Sequence, residues 1–430
     1  MSSPGTDAPA PKRKAKPKRK HTVGRVVLAS TLVLALVTAL SVIFFYRHLN
    51  GNIDKVDVEG ALGGDRPEEI YRGNGEPLDI LVMGDDTRSG ENNDIDNETG
   101  GGSDTTILVH LSADRSRAYA ISIPRDSIVD RPDCGEDDEI PGGTDVMWNA
   151  AYAKGHAADP ESAGGAACVI RQLEATTGVR VEHFVVVDFN GFGDMVDAVG
   201  GVPVCVPEDI DDPAHKIFVP AGDPSLLTGD EALDYVRARY VGELVQQNDI
   251  SRIKRQQTFI AALVNKVKSA GTLTRLDRVV SFLDAATESL TTDTQLGSLT
   301  RLGKIAMQLQ SIGLDKVQFV TVPNAYYPRE SEFFGRVYWT EEADELWEKI
   351  KLDQPLSREL TAGSISAAQP PGSETPTDAP AETGSPTETD STTEEASPTE
   401  TPTETETETE TETTADEPTP PEETTPGICT

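Results

Sequence analysis

The chain has 430 residues, enough for one large domain or two ordinary ones, and a formal net charge of −35 at pH 7. So acidic a composition argues against a nucleic-acid partner, because nucleic-acid phosphates bind basic surfaces. The four cysteines form no CxxC pair and no Cys/His cluster, which argues against structural zinc. The charge is uneven, since the first twenty residues are strongly basic whereas about the last seventy are acidic and hold no Lys or Arg.

The first element in chain order is a long apolar segment. Residues 26–46 hold no charged side chain and are long enough to cross a hydrocarbon core as a helix. Because the basic segment 1–25 precedes them, the positive-inside rule predicts a single-pass span in the cell membrane, with a cytoplasmic N-terminus and an extracellular domain. A cleaved signal peptide is the alternative, but no clear A-x-A site follows. The basic run then suits membrane lipid, and residues 47–77, rich in Gly and acids, are predicted to form a stalk.

Three short apolar runs, at 78–83, 105–111 and 117–123, predict buried strands. Charged and polar side chains cluster where these strands meet loops: Asp85, Asp86, Arg88, Ser103, Asp104, Arg125 and Asp126. Carboxylates suit a hard cation such as Mg²⁺, and the planar fork of arginine grips phosphate at two points. The pattern therefore indicates a metal–phosphate site, with turn formers and surface ion pairs as the alternative interpretation.

The cysteines suggest a disulfide in an exported domain. Residues 129–145 are predicted to form a polar loop that contains Cys134, whereas 166–177 is predicted to be a helix that contains Cys168. One bond among Cys134, Cys168 and Cys205 is expected outside the cytoplasm, and buried free thiols are the alternative. The sequence cannot fix the pairing, but Cys134 with Cys168 is favoured because the segment between them is loop-like.

A second informative stretch covers residues 227–257. Thr228 and Glu231 form a capping box that begins a short helix. If the following YVRARY segment is extended, Arg237 and Arg239 point to the same face. The next helix carries three polar side chains within one turn near its N-terminus: Arg252, Arg255 and Gln256. Cations are unfavourable there unless an anion lies among them, which indicates an anionic ligand, with a solvated basic face as the alternative.

The C-terminal part contains less chemistry. Helices are predicted near 276–289, 296–312 and 341–350, with a strand at 317–322. No catalytic constellation appears there, so the region is predicted to be scaffold that completes an extracellular domain over 78–355. Residues 356–430 are rich in Pro, Thr and Glu and are predicted to form a disordered acidic tail, in which Cys429 has no evident partner.

Taken in order, several of these segments resemble the LytR–CpsA–Psr (LCP) family of bacterial cell-envelope proteins. The matching segments lie between about 78 and 268: VMGDDTR, GSDTTILVHL, SIPRDS, WNAAYAKG, DFNGFGDMVDAVGGV, LTGDEALDYVRAR and DISRIKRQQ. The resemblance implies an α/β fold, a three-layer α–β–α sandwich with a mixed central sheet and an apolar lipid pocket. It also implies Mg²⁺-dependent phosphotransfer, in which a polyprenyl-pyrophosphate-linked glycopolymer is moved to a peptidoglycan hydroxyl.

The resemblance assigns roles to individual residues. It implies metal binding by Asp86 and Asp104. It implies catalytic roles for Arg125, Asp126 and Asp249. It implies pyrophosphate binding by Arg88, Arg125, Arg237, Arg239, Arg252, Arg255 and Gln256. Two features depart from the family pattern. Asp85 replaces the small hydroxyl residue usual before the first aspartate, which leaves open whether Asp85 or Asp86 binds the metal. An acidic insertion lies at 91–98.

Three functions remain in competition at this level. The first is a membrane-anchored glycopolymer–peptidoglycan transferase. The second is a polyprenyl-pyrophosphate phosphatase that uses water as the acceptor, and the third is a non-catalytic receptor or scaffold for lipid-linked polymers. The retained Asp and Arg set disfavours the third. The sequence does not identify the polymer, since teichoic acid, arabinogalactan and capsule would present the same pyrophosphate.

Overall fold

A computed structural model describes residues 22–68, 75–85, 102–159, 164–239, 241, 249–268, 275–370 and 428. Its helices are α1 Thr22–Asn52, α2 Glu59–Leu62, α3 Ala150–Ala158, α4 Gly164–Thr177, α5 Phe189–Ala198, α6 Gly229–Arg237, α7 Asp249–Lys268, α8 Leu276–Glu288, α9 Leu299–Ser311 and α10 Glu341–Lys351. Its strands are β1 Asp54–Val56, β2 Leu78–Asp85, β3 Ser103–Leu111, β4 Ala118–Ile123, β5 Ile128–Arg131, β6 Gly143–Met147, β7 His183–Asp188, β8 Val202–Val206, β9 Ile210–Asp212, β10 Ile217–Val219, β11 Gly222–Leu227, β12 Leu290–Asp293, β13 Val317–Thr321, β14 Asn324–Tyr326, β15 Val337–Trp339 and β16 Ile365–Ser366.

The centre of the fold is an eight-stranded mixed sheet with the order β1–β12–β7–β2–β3–β4–β13–β16. Strand β2 is parallel to β7, and β4 is parallel to β13. Strand β3 lies between these pairs and runs antiparallel to both β2 and β4. The C-terminal ends of β2, β4, β7 and β13 therefore meet the start of β3 at one edge of the sheet, which we call the site edge.

Alternation along the strands divides the apolar side chains between two faces of the sheet. On the first face, Leu81, Leu108 and Ile121 pack with α4 and α10 in one core. On the second face, Ile107 and Ala120 pack with Phe319 and with α7. Helices thus cover both faces, which confirms the predicted α–β–α sandwich.

A further apolar cluster lies outside the sandwich, on the side of the second face. It joins α5, α6 and α7 to the small strands β8–β11. Its buried members include Val199, Val204, Leu227, Tyr235 and Phe259. Because α7 contributes to both this cluster and the second-face core, the helix connects the outlying strands to the sheet.

The N-terminal helix is longer than predicted. Helix α1 has exposed apolar side chains and an 18-residue window with a mean hydropathy of 2.6, which makes it a candidate membrane span by length and composition. Its last turns contact the domain, since the side chain of Asn52 donates to Asp284 (3.0 Å) and Tyr46 lies 3.3 Å from Thr300. The predicted stalk is wrong in its first half: Asp54–Val56 is an edge strand of the sheet, and Ile53 is buried.

Two other boundaries differ from the predictions. Residues 129–145 are not simply a loop, because β5 and β6 form a hairpin whose half-exposed strands leave little apolar pattern to read. The folded region also extends beyond 355: Ile365–Ser366 pairs with β13, and Leu360 is buried.

The cysteine pairing favoured from the sequence is confirmed. Cys134 and Cys168 form a disulfide with their Cα atoms 5.3 Å apart, which ties the loop before β6 to α4. Cys205 is also disulfide-bonded, whereas Cys429 lies outside the described residues.

Candidate functional site

Asp104, the second residue of β3, lies at the site edge and accepts hydrogen bonds from three arginines. Its Oδ1 accepts from Arg125 Nη1 at 2.6 Å. Its Oδ2 accepts from Arg239 Nη2 at 2.9 Å and from Arg252 Nη1 at 2.8 Å. Three separate segments, those after β4, after α6 and in α7, therefore meet on one carboxylate.

The arginines determine the charge state of Asp104. Burial by itself raises the pKa of this carboxyl. The guanidinium groups of Arg252, Arg125 and Arg239 lower the pKa by a larger amount and hold it well below its usual range. The group therefore remains ionised at any physiological pH. A fixed negative charge keeps three cations together that would otherwise repel one another.

Asp249, the first residue of α7, supplies a second negative charge. Its Oδ1 lies 2.7 Å from Arg252 Nη2 and 3.3 Å from Arg125 Nε. These contacts are ion pairs without hydrogen-bond geometry, so within the described residues both Asp249 oxygens are buried without a hydrogen-bond partner. The cations expected to be unfavourable at this helix N-terminus are thus partly neutralised by the protein's own carboxylates.

Arg255 and Gln256 are buried and donate to backbone carbonyls of the segment before Arg239. Arg255 is 1% exposed and its Nη2 donates to the carbonyl of Ala238, while Gln256 Nε2 donates to the carbonyl of Val236 at 3.2 Å. Burial lowers the pKa of Arg255 to about 10, still well above neutrality. These contacts position the segment that carries Arg239. The binding roles of Arg255 and Gln256 toward a ligand stay predictions.

The condition under which Arg237 and Arg239 would share a face, an extended segment, is not met. Helix α6, which begins with the predicted capping box of Thr228 and Glu231, continues through Arg237 and ends at Ala238. Arg239 then turns to Asp104, whereas the Arg237 guanidinium lies 5.8 Å from the centre of the Phe189 ring. The helix propensity of DEALDYVR overrides the β-branched and aromatic residues of the YVRARY stretch.

Asp126 pairs with an arginine outside the Asp104 cluster, and its charge also acts on Arg252. Its Oδ1 lies 2.6 Å from Arg336 Nη1, and its backbone carbonyl accepts from Val337 N. Tyr326 lies on β14, the strand that pairs with the strand of Val337. Burial together with the charges of Asp249 and Asp126 raises the pKa of Tyr326 to about 12. The C-terminal part, predicted to be scaffold, thus lies beside the candidate site. No local signal in the sequence indicates this proximity, because it arises from the pairing of β13 with β4.

Asp85 has a partner of its own. Its carboxylate accepts a hydrogen bond from the Tyr152 hydroxyl, and burial followed by the Asp85 charge raises the pKa of that tyrosine. Asp86, Arg88 and the acidic insertion at 91–98 lie outside the described residues.

Asp104 remains chemically able to hold a cation. A carboxylate offers about four lone-pair positions, and the arginine side chains occupy one position on Oδ1 and two on Oδ2. Among the described residues, one position on Oδ1 is therefore open to a hard cation, which suits Mg²⁺ because this ion uses few protein carboxylates and fills its shell with water and phosphate oxygens.

Comparisons with known proteins agree with the fold and the motifs. The sequence model of the LytR_cpsA_psr family matches residues 45–352. The cell wall biosynthesis protein LcpA of Corynebacterium glutamicum is 32% identical over 327 residues, which cover 70% of this chain and 60% of that protein. The polyisoprenyl-teichoic acid–peptidoglycan teichoic acid transferase TagV of Bacillus subtilis is 26% identical, over 70% of this chain and 73% of that protein.

A solved structure supports the fold in addition. The LytR-Csp2A-Psr enzyme from Actinomyces oris superposes with a TM-score of 0.51 at 18% identity, covering 70% of this chain and 96% of that one. Together with the family match over more than half of the residues, the fold and the ordered motifs show that this chain belongs to the LytR–CpsA–Psr family.

Proposed function

We propose that this protein is a membrane-anchored phosphotransferase that moves a glycopolymer from a polyprenyl-pyrophosphate carrier to a hydroxyl group of peptidoglycan. The observation that carries the proposal is the convergence of Arg125, Arg239 and Arg252 on Asp104 at the site edge. The similarity of the chain to a cell wall biosynthesis protein and to a teichoic acid transferase supports the proposal.

Charge makes a pyrophosphate the fitting ligand. Three guanidinium groups pair with two carboxylates, Asp104 and Asp249, and the charge of Arg255 acts on its neighbour Arg252, so the described part of the site has a positive surplus. A pyrophosphate diester carries two negative charges and reacts slowly unless they are neutralised and positioned. Arginine pairs grip phosphate oxygens at two points, and donors held in place before the reaction cost no reorganisation during it.

The reaction balances with the groups present in the substrates. The acceptor hydroxyl oxygen forms a bond to the phosphorus next to the sugar, the bond from that phosphorus to the bridging oxygen breaks, and polyprenyl phosphate leaves. Asp104 is a poor proton acceptor because its pKa lies far below neutrality. Asp249 is better suited to take the hydroxyl proton, since its oxygens accept no hydrogen bond within the described residues.

Two further parts of the proposal concern the cation and the lipid. Mg²⁺ on the open position of Asp104 Oδ1, with Asp86 as the second expected ligand, would neutralise phosphate charge. The apolar cluster between α5–α7 and β8–β11 is buried and packed in this structure, and it is the region that would open to receive the polyprenyl chain. Helix α1 would hold the domain at the outer face of the membrane, and the Cys134–Cys168 disulfide fits an oxidising compartment.

The test uses the full chain in detergent with radiolabelled polyprenyl-pyrophosphate glycan, peptidoglycan oligomers and Mg²⁺. We expect label on peptidoglycan, and an Arg125→Ala loss on the order of a hundredfold to a thousandfold, the usual effect of removing one preorganised donor. Arg275→Ala is the matched control, because this arginine is 56% exposed and pairs only with exposed Asp277 among the described residues.

Two outcomes would contradict the proposal. Label released to water in place of peptidoglycan would assign the site to a phosphatase. Retained lipid without turnover, with or without a chelator, would assign it to a lipid-linked-polymer receptor.

A further inference from the structure

The hairpin of β14 and β15 lies at the site edge, and most of its side chains have no part in the site described above. Strands β14 and β15 follow β13 and pair antiparallel, with Tyr326 opposite Val337. The base of the hairpin is fixed on the first face of the sheet, where the Trp339 ring lies 5.8 Å from Trp148 and 5.6 Å from Trp347. The hairpin is therefore a rigid extension of the core.

The hairpin carries a cluster of aromatic side chains, which we call the aromatic platform: Tyr326, Tyr327, Phe333, Phe334 and Tyr338. The Tyr327 ring lies 5.2 Å from Phe333 and 5.1 Å from Tyr338. Tyr338 is 38% exposed although its ring packs on Tyr327, and Phe334 and Tyr326 on the same hairpin are 61% and 46% exposed. One exposed aromatic residue needs no explanation, but three on one short hairpin, beside a packed group of rings, indicate a binding surface.

The platform is continuous with the phosphate site. Arg336, between Phe334 and Tyr338 in the sequence, forms the 2.6 Å ion pair with Asp126. Tyr326, opposite Val337 on the neighbouring strand, lies within electrostatic reach of both Asp126 and Asp249. A molecule resting on the aromatic rings would therefore extend directly to the carboxylates at the site edge.

The sheet separates the platform from the apolar cluster proposed to receive the lipid. The hairpin packs on the first face, beside α4 and α10. The apolar cluster of α5–α7 lies on the second face, together with the arginines of α7. In phosphoryl transfer the attacking and leaving oxygens lie roughly in line on opposite sides of phosphorus. A donor approaching from the second face thus leaves the first face for the acceptor.

We propose that the aromatic platform binds the sugar rings of the acceptor glycan and presents a hydroxyl group to the phosphate site. The proposal rests on the proposed transferase function, whose acceptor it locates. Sugar rings expose C–H groups on their flat faces and these pack against the negative faces of aromatic rings, while hydroxyl and amide groups at the ring edge need polar partners. Such partners surround the platform: exposed Arg329, Glu330 and Glu332, and the tyrosine hydroxyls.

The test measures glycan binding in the absence of donor, so that it does not depend on transfer. Peptide-free oligosaccharides of alternating N-acetylglucosamine and N-acetylmuramic acid are titrated into the full chain in detergent, and binding is measured by calorimetry. We expect Phe334→Ala combined with Tyr338→Ala to weaken binding at least tenfold. In the transfer assay the same variant should raise the acceptor KM by a similar factor and leave the donor KM unchanged.

Two matched variants control the experiment. Tyr338→Phe keeps the ring and should retain binding, and Met307→Ala removes a 63% exposed apolar side chain on α9 and should have no effect. Glycan affinity that is equal in wild type and the double variant would overturn the proposal. If glycan binds to the platform but no label is transferred, only the transferase function fails.

Discussion

Asp104 is held by three arginines that lie 21, 135 and 148 residues away in the sequence. Its role is to keep the cations together in the absence of substrate, because its carboxylate neutralises part of their mutual repulsion. A ligand phosphate would meet a set of donors whose positions are already fixed. The residue types at the site could be predicted from the ordered motifs, but the convergence on one carboxylate depends on long-range contacts that spacing does not encode.

The residue-scale prediction concerns Asp104→Asn. The amide keeps the size of the side chain, loses the charge and turns an N–H₂ group toward guanidinium donors. We expect transfer to fall on the order of a hundredfold or more. The control is Asp344→Asn, because Asp344 is an exposed aspartate in the first turn of α10. Transfer within a few fold of wild type in the radiolabel assay would show that Asp104 does not organise the site.

At the scale of elements, the sequence predicted those helices and strands that bury a full apolar face. Strands β2, β3 and β7 and helix α7 were found from apolar spacing, because each buries a face whatever its partner is. Strand β1 is three residues long and belongs to the sheet only through its pairing with β12, so the same reasoning mistook it for stalk.

The far end of the β2–β3 pair holds a buried ionic network that fastens α10 to the sheet. His110 is fully buried, with Nδ1 2.7 Å from Asp79 Oδ1 and Nε2 3.3 Å from Asp353, just beyond α10. Burial lowers the pKa of His110, but Asp79 and Asp353 raise it more, to about 9. The neighbouring Glu182 carboxylate accepts from Asp79 N, and burial followed by the Asp79 charge raises its pKa to about 8.

The network predicts that stability falls with rising pH. Because the folded pKa of His110 is raised above its ordinary 6.5, its contribution is full below pH 6.5 and is lost as pH rises through about 9. The raised pKa of Glu182 also makes stability fall as pH rises, in the range between pH 4.5 and about 8. We expect the free energy of unfolding to drop by roughly 3 kcal/mol between pH 6.5 and 9 from the His110 shift.

Denaturant unfolding of the detergent-solubilised full chain, followed by tryptophan fluorescence, measures this dependence. His110→Gln should be less stable at pH 6.5 and should show a shallower decline above it. A wild-type protein whose stability is flat from pH 6.5 to 9 would rule out a charged His110 in the folded state.

On the scale of the whole molecule, charge is divided into three zones. A basic segment precedes the apolar helix, a mixed domain carries the site, and residues 371–427 hold seventeen acidic residues and no Lys or Arg. This composition predicted a tail that lacks apolar residues to bury, and Ile428 is the point of difference, because it is only 8% exposed. A buried residue beyond the acidic stretch indicates that the chain there returns to the domain.

The last prediction names the covalent partner of Cys205. This residue of β8 is 1% exposed and disulfide-bonded, and Cys134 and Cys168 bind each other. Of the four cysteines in the sequence only Cys429, next to buried Ile428, is then left as an intramolecular partner. We expect a linked Cys205–Cys429 peptide in non-reducing peptide maps, and one thiol reactive only after denaturation in Cys429→Ser. A covalent dimer on non-reducing gels would instead place the Cys205 bond between two chains. A confirmed link would fix residue 429 to β8, beside α7, and would account for the burial of Ile428.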